Sequence, residues 1–170
     1  ENFDVLVKNL KNINNSNITV NNFGLSNQKL EHKFHEFIES SSSTLSNINL
    51  ESLYFKRKIR VLGLSNYKEK PYRISKVKLD LLDNYIEKKN INRINLIKID
   101  TEGHEYFVLK GVLKNMHKIN YIYFEHHYDN MLNKGYTFSK IHELLKKNNF
   151  KKILKTKMYF RKTFEYIYEN

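Results

Sequence analysis

Two acidic side chains, Asp100 and Glu102, stand where an apolar run of strand-like alternation gives way to a segment of helical spacing. Ligands of open α/β sheets bind beyond the carboxyl ends of the strands. A carboxylate placed there can accept a proton from a hydroxyl or stabilise a positively charged cofactor. Helix capping is the structural alternative, with Asp100 or Thr101 as the N-cap and Glu102 or Glu105 as first-turn acids. Both interpretations predict an acidic loop between a strand and a helix.

Two further strand ends carry polar or flexible groups directly after apolar residues. One is Gly24-Leu-Ser-Asn27, and the other is Glu125-His-His127. If the three strands are parallel, their carboxyl ends lie at one edge of the sheet, where side chains from all three can meet a ligand.

Lys98 is unusual because it lies inside one of these predicted strands. Strand alternation puts it on the same face as Asp100, and the next strand presents Tyr123 and Glu125 in the same alternation. A buried ammonium costs free energy unless it meets a carboxylate. We therefore expect an ion pair between Lys98 and Glu125.

The histidines are candidate metal ligands or bases. His126 and His127 are adjacent, so on a strand they point to opposite faces and cannot easily bind one metal with His104. In His32-x-x-His35 the two rings also face opposite sides if the segment is a strand. We predict no metal site, although one of these histidines can still act as a base or contact a substrate.

Strands and helices alternate over the second half of the chain. We predict strands over residues 95–100 and 120–125, helices over 103–113 and 137–148, and two final strands over 150–159 and 163–168. Earlier residues suggest a first helix, a strand over 18–25, short strands over 32–38, 57–64 and 72–79, and a helix over 79–86. This order indicates a mainly parallel α/β sheet with an antiparallel C-terminal edge.

Composition indicates one globular domain but says less about its partner. Of 170 residues, 40% are hydrophobic and 14% aromatic, which suits a single core. The net charge of +12 comes mostly from lysine in a chain also rich in asparagine and isoleucine, so arginine-based recognition of nucleic acid is the weaker interpretation. The chain has no cysteine and shows no signal-peptide pattern or membrane-spanning run, and we expect a cytoplasmic protein.

A long stretch around the acidic loop resembles a known enzyme family. Leu96-Ile-Lys-Ile-Asp-Thr-Glu-Gly-His-Glu-Tyr-Phe-Val-Leu-Lys-Gly111 is similar to the signature of the FkbM-type S-adenosylmethionine-dependent methyltransferases, in which I-K-I-D-x-E-G-x-E leads into V-L-x-G. Segments 77–83, 123–125 and 21–26 resemble the flanking parts of that family. The resemblance is sharp over residues 77–126 and weak over 30–75 and after 150.

The resemblance implies a Rossmann-like class I methyltransferase sheet and methyl transfer from S-adenosylmethionine to a hydroxyl of a saccharide or similar metabolite. It implies a set of residues near the cofactor: Gly24, Leu25, Ser26 and Asp100. It also implies a catalytic set in which two carboxylates lie at the junction of cofactor and acceptor and a third contacts the acceptor or supports them: Asp100, Glu102 and Glu125.

The part of such a domain that holds the cofactor is not evident in this sequence. In the family, a glycine-rich loop and an acidic residue that binds the ribose precede the position of Glu1, whereas the five glycines here are isolated. Without that loop the backbone cannot approach a cofactor closely. We predict that residues 1–170 form the C-terminal part of one domain that lacks its first strands. We expect this chain alone to have little affinity for S-adenosylmethionine.

The acidic loop also bears on the acceptor. Amino-directed nucleic-acid methyltransferases typically carry [D/N]-P-P-[Y/F] at this position, but this chain has Asp100-Thr-Glu-Gly103, and its one proline is Pro71. Oxygen methylation of a small molecule or glycan is favoured. The alternative function is a non-catalytic basic α/β module that binds RNA or another polyanion through the lysines and aromatic residues near its C-terminus.

Overall fold

The computed structural model of the protein describes residues 2–11, 13, 17–38, 42–64, 70–159 and 162–170. Helices and strands mix within these residues, which confirms the predicted α/β class. The helices are α1 (Asn2–Lys11), α2 (Leu53–Val61), α3 (Leu82–Lys88), α4 (Glu105–Lys110) and α5 (Phe138–Lys147). The strands are β1 (Gly24–Leu25), β2 (Leu30–Phe37), β3 (Asn47–Ile48), β4 (Tyr72–Asp80), β5 (Ile94–Ile99), β6 (Ile119–His127), β7 (Leu132–Asn133), β8 (Lys151–Lys157) and β9 (Thr163–Glu169). Within the described ranges, no helix is long and apolar enough to cross a membrane.

The main sheet has the strand order β5-β6-β9-β8. Strands β5 and β6 are parallel, as α4 and its flanking turns form a crossover connection between them. Strand β9 is antiparallel to both β6 and β8, so the predicted antiparallel C-terminal edge is confirmed.

A second sheet has the order β1-β4-β2, and β3 pairs with β7. Strand β1 runs parallel to the end of β4, while β2 and β4 form an antiparallel pair over their whole lengths. Among the described strands, two of the six pairings are therefore parallel. The prediction of a mainly parallel sheet is wrong, because the central part of the chain forms this antiparallel pair.

Helices α3, α4 and α5 contribute to a core that covers one face of the main sheet. On that face Phe124, Tyr166 and Tyr168 are fully buried, and their rings stack, with Phe124 5.5 Å from Tyr166 and 5.8 Å from Tyr168 between ring centroids. Close packing in this core fixes the positions of the carboxyl ends of β5 and β6.

The other face of the main sheet is exposed. Leu96, Tyr121 and Leu154 lie on this face and keep 54%, 37% and 45% of their accessible surface. Strand β5 is also at the edge of the sheet, so within the described residues its outer edge has no partner strand. A parallel strand with a free edge and an open apolar face is unusual, since strands of this kind are generally covered on both sides.

Residues 57–64, predicted as a strand, belong largely to helix α2 instead. The side chain of Ser52 accepts a hydrogen bond from the Phe55 amide at 3.4 Å and caps the helix start. Phe55 and Ile59, four positions apart, pack on one cluster with Phe37. The spacing is helical, and β-branched residues alone were a misleading signal.

Candidate functional site

The three predicted strand ends meet around the acidic loop. Strand β5 ends at Ile99, and its register with β6 aligns Ile99 with Phe124, so Asp100 and Glu125 follow on neighbouring strands. Burial raises the pKa of Glu125, and the nearby charge of Asp100 raises it further. Burial likewise raises the pKa of Glu102, and the nearby charge of Asp100 also raises it. The structure therefore brings the three predicted catalytic carboxylates into electrostatic contact.

Asp100 faces a cavity of 590 Å³, which we call the Asp100 cavity. Gly24, Leu25 and Thr101 line it as well, so three of the four predicted cofactor contacts meet in one place. The side chain of Asp100 is 45% exposed. A carboxylate of this kind can reach a bound ligand without moving the backbone.

Ser26, the fourth predicted contact, faces a different cavity. Its hydroxyl lies 2.9 Å from Nε2 of His104, and both residues line a second cavity of 590 Å³ with His32 and His35, the histidine cavity. Burial lowers the pKa of His104 to about 4, so its ring is neutral near pH 7. This contact joins two loops that are 78 positions apart in the chain.

The expected ion pair between Lys98 and Glu125 is wrong. The ammonium of Lys98 lies 3.6 Å from the carboxylate of Asp100, and it stands over the ring of Tyr123 at 5.6 Å from the centroid. The side chain of Lys98 is 52% exposed because this face of β5 is open. The burial cost that motivated the prediction is therefore absent.

Replacing Lys98 with methionine should consequently change stability very little. Exposed ion pairs contribute roughly 0–1 kcal/mol, and we expect the free energy of unfolding to shift by less than about 0.5 kcal/mol. Urea denaturation of wild type and Lys98→Met measures this directly. A loss of several kcal/mol would show that Lys98 is paired in the interior after all.

Helix α4 is not capped by the acidic loop. The helix begins at Glu105, and its N-cap residue, His104, makes no capping hydrogen bond with its side chain. The structural alternative is therefore wrong for Asp100 and Thr101 as N-caps and confirmed for Glu105 as an acid of the first turn. Asp100 lines the Asp100 cavity instead. The loop is instead fastened by the buried Glu105, whose carboxylate accepts hydrogen bonds from the Gly103 amide at 2.8 Å and the Tyr136 hydroxyl at 2.5 Å.

The loop conformation needs this support. Glu102 and Gly103 have φ values of 46° and 95°, a region that is costly for glutamate. Two hydroxyls from the segment after β2 hold the loop, since Thr44 donates to the Glu102 carbonyl at 2.6 Å and Ser46 donates to the Gly103 carbonyl at 2.9 Å. Sequence reasoning missed both hydroxyls, because nothing in the local pattern marks a contact nearly 60 residues away.

The carboxylate of Glu102 points to the interior and not into either cavity. Its Oε2 lies 3.3 Å from Nε2 of His127, whose Nδ1 lies 3.1 Å from the Thr163 hydroxyl and 3.7 Å from a carboxylate oxygen of Asp129. Burial alone would lower the pKa of His127, but Asp129 and Glu102 outweigh it and the pKa is raised. The His127 ring, buried between the carboxylates of Glu102 and Asp129, thus fixes the side chain of Glu102.

This arrangement predicts a histidine that stays protonated above its usual range. In an NMR titration of the ring signals, we expect the His127 midpoint above the ordinary value of about 6.5. Stability contributed by His127 is complete below that value and is lost as the pH rises through the raised pKa. Glu102→Gln should lower the midpoint, whereas the exposed Glu87→Gln should leave it unchanged. A wild-type midpoint below 6.5 would contradict the assignment.

The adjacent histidine is buried on the opposite face, as the strand alternation predicted. His126 packs against aromatic rings, with centroid distances of 4.8 Å to Tyr128, 6.0 Å to Tyr136 and 5.7 Å to Phe138. Burial lowers its pKa to about 3. Across the described residues, no group of three or more histidine and acidic side chains is arranged to hold a metal ion.

His126 should make the fold sensitive to acid. A group whose pKa is lower in the folded state binds more protons when unfolded, so its contribution to stability falls as the pH drops below about 6.5. Replacement by phenylalanine fits the aromatic surroundings and removes this effect. Relative to wild type, we expect His126→Phe to gain stability steadily between pH 6.5 and 4 in urea denaturation. An identical pH dependence of the two proteins would refute the burial of a neutral ring.

The structure is that of an α/β domain with polar cavities at the carboxyl ends of its strands, where ligands of such sheets bind. The family described as Methyltransferase FkbM domain matches residues 3–152. Because this match covers most of the chain, the protein belongs to that family, which confirms the resemblance seen in the sequence. No curated protein and no solved structure gives a significant match to the chain.

Proposed function

We propose that this domain transfers a methyl group from S-adenosylmethionine to a hydroxyl oxygen of a small-molecule or glycan acceptor in the cytoplasm. The observation that carries the proposal is the Asp100 cavity. In a member of a methyltransferase family, it brings together Gly24, Leu25 and an exposed carboxylate. The sulfonium group of the cofactor supplies an activated methyl group, so the protein has to position the reactants and remove one proton.

Asp100 is the group that we assign to proton removal. It faces the cavity, whereas Glu102 and Glu125 are largely buried beside it. Glu125 is a positioning residue, because it is buried on the strand next to Asp100, and burial and the charge of Asp100 both raise the pKa of its carboxyl. Glu102 holds the loop through His127, and so acts on the geometry of Asp100 and not on the acceptor.

The residues present fit one side of a bound cofactor. A side chain at Gly24 would place its Cβ 2.7 Å from the Leu79 side chain, which also lines the Asp100 cavity, so a bare backbone keeps this wall open. We propose that the other side, including the first strand, is provided by residues outside 1–170. The free edge of β5 and the exposed face bearing Leu96, Tyr121 and Leu154 support this proposal.

Calorimetric titration with S-adenosylmethionine tests the incomplete domain. We expect no binding in the micromolar range by residues 1–170, and binding by a chain extended with its native upstream sequence. Micromolar binding by the shorter chain would contradict the proposal. Lys140→Met, a substitution on the exposed side of α5, is a suitable control for either chain, because it should not change cofactor binding.

Methyl transfer itself is tested by release of S-adenosylhomocysteine from the extended protein in the presence of a panel of saccharides and other hydroxylated metabolites. Mass spectrometry of the product should locate the new methyl group on an oxygen. Methylation on nitrogen, or no turnover with any acceptor despite cofactor binding, would count against the proposal.

A basic module that binds RNA is the competing proposal, favoured by the lysines of the fully exposed strand β8. The aromatic rings beside it are less open to bases than the sequence suggested, since the ammonium of Lys155 lies 4.6 Å from the centroid of Phe164. Steeply salt-dependent RNA binding, without turnover by the extended protein, would favour the module.

A further inference from the structure

The proposed methyl transfer leaves the histidine cavity without a role. This cavity adjoins the Asp100 cavity, because Leu45 and Leu79 line both. Its volume of 590 Å³ falls within the range of small-molecule sites, about 300–1,000 Å³. A ligand in one cavity can therefore extend toward the other across a wall of two leucine side chains.

The walls of the histidine cavity carry hydrogen-bonding groups. Hydroxyl, amide and imidazole groups share this property: Ser26, Ser46, Asn27, Asn47, Asn133 and His104. His35 also lines the cavity and is only 9% exposed, and its Nδ1 has no hydrogen-bond partner in the described part of the chain. Groups of this kind can form hydrogen bonds with the hydroxyls of a ligand.

Two lysines add positive charge to these walls. Lys33 and Lys134 line the cavity, against the single carboxylate of Glu31. Lys134 is half-buried, its ammonium donates to the carbonyl of His127, and burial lowers its pKa. No carboxylate of the described residues forms an ion pair with Lys134, although Glu105 and Asp129 lie within electrostatic reach. A ligand anion would offset the burial of this ammonium.

We infer that the histidine cavity binds a hydroxylated ligand that carries an anionic group, either a sugar phosphate or a sugar acid, and that this ligand is the methyl acceptor. The anionic group would lie near Lys33 and Lys134, and a hydroxyl would reach past Leu45 toward Asp100. Identification of the ligand as the acceptor rests on the proposed function. Binding of the anion does not.

The test is an NMR titration of the protein without cofactor, with glucose 6-phosphate, glucuronate and glucose as probes. We expect at least one of the two anionic sugars to bind about tenfold more tightly than glucose, the effect of one charge-assisted contact. The ring signals of His35 and His104 should shift, while those of the exposed His117 should not. Binding of neither anionic sugar, or equal binding of glucose, would overturn the inference.

Variants separate the cavity from the general basic charge of the protein. Lys33→Gln, an exposed position that does not threaten folding, and Lys134→Met should each weaken binding of the anionic sugar about tenfold. Lys140→Met removes an equal charge on α5 and should have no effect. Equal weakening by all three variants would show nonspecific attraction and refute the site. Turnover of neutral acceptors alone by the extended protein would refute the anionic acceptor while leaving the proposed function intact.

Discussion

Asp100→Asn is expected to reduce methyl transfer by the extended protein by about two to four orders of magnitude, the usual contribution of a positioned general base. The amide keeps the size and the polarity of the side chain but cannot take the proton of the acceptor hydroxyl. Because Asp100 is exposed and its ion pair with Lys98 is weak, we expect the free energy of unfolding to fall by less than about 1 kcal/mol. Initial rates of S-adenosylhomocysteine release measure the loss.

A matched control is Glu87→Gln, the same chemical change at an exposed position of α3. It should leave the rate unchanged. The loss in Asp100→Asn should appear in kcat, with affinity for S-adenosylmethionine reduced far less. Wild-type turnover by Asp100→Asn would show that this residue does not take part in the chemistry.

Gly111→Ala is expected to produce the largest loss of stability of any single methyl addition at a glycine. An added Cβ would lie 2.1 Å from the carbonyl oxygen of Ser26, and the nearest obstacle is backbone that cannot rotate away. Overpacking of this severity costs about 3 kcal/mol or more. For a chain of this length the midpoint of thermal unfolding should fall by roughly 6–12 °C.

Gly135→Ala separates the clash from the loss of a glycine as such. Gly135 has a φ of 72°, but no atom lies within 4 Å of an added Cβ, so the substitution carries only the conformational cost of about 1 kcal/mol. If both variants unfold at the same temperature, the close approach of Gly111 to Ser26 is wrong. The contact matters for the site, since it sets the segment that contains Gly24 and Leu25 against the helix that follows the acidic loop.

The strands and helices of the second half of the chain could be predicted from the sequence. Strands predicted over 95–100 and 163–168 are found at Ile94–Ile99 and Thr163–Glu169, and the motif ending in Gly111 identified the family. These segments show a clear strand alternation, and Gly103 follows the first of them, so local signals agree. Helix α4 is shorter than predicted because positive φ angles at Glu102 and Gly103 delay its start and a turn follows Lys110.

The central region, from β2 to β4, could not be predicted in the same way. Residues 57–64 offered β-branched residues as their signal, and the helical spacing of Phe55 and Ile59 became meaningful only with the cluster against which they pack. The antiparallel pairing of β2 with β4 connects residues that are 35 to 49 positions apart, and no local pattern specifies such a register.

The candidate site was likewise predictable from the sequence only in part. Sequence placed Asp100, Glu102 and Glu125 at strand ends, and the structure brings them together, but their different surroundings depend on distant residues. Thr44 and Ser46 hold the loop by hydrogen bonds, and His127, which also lies near Asp129, holds the side chain of Glu102. Which carboxylate faces a cavity is decided by these long-range contacts.

The most direct test of the account is an NMR titration of the extended protein with S-adenosylhomocysteine, followed on the backbone amides of residues 1–170. We predict saturable shifts at Gly24, Leu25 and Asp100, with the amides of the β8–β9 hairpin unaffected. A protein that does not bind this compound, or that binds it with shifts confined to residues outside the Asp100 cavity, would contradict the proposed methyltransferase site.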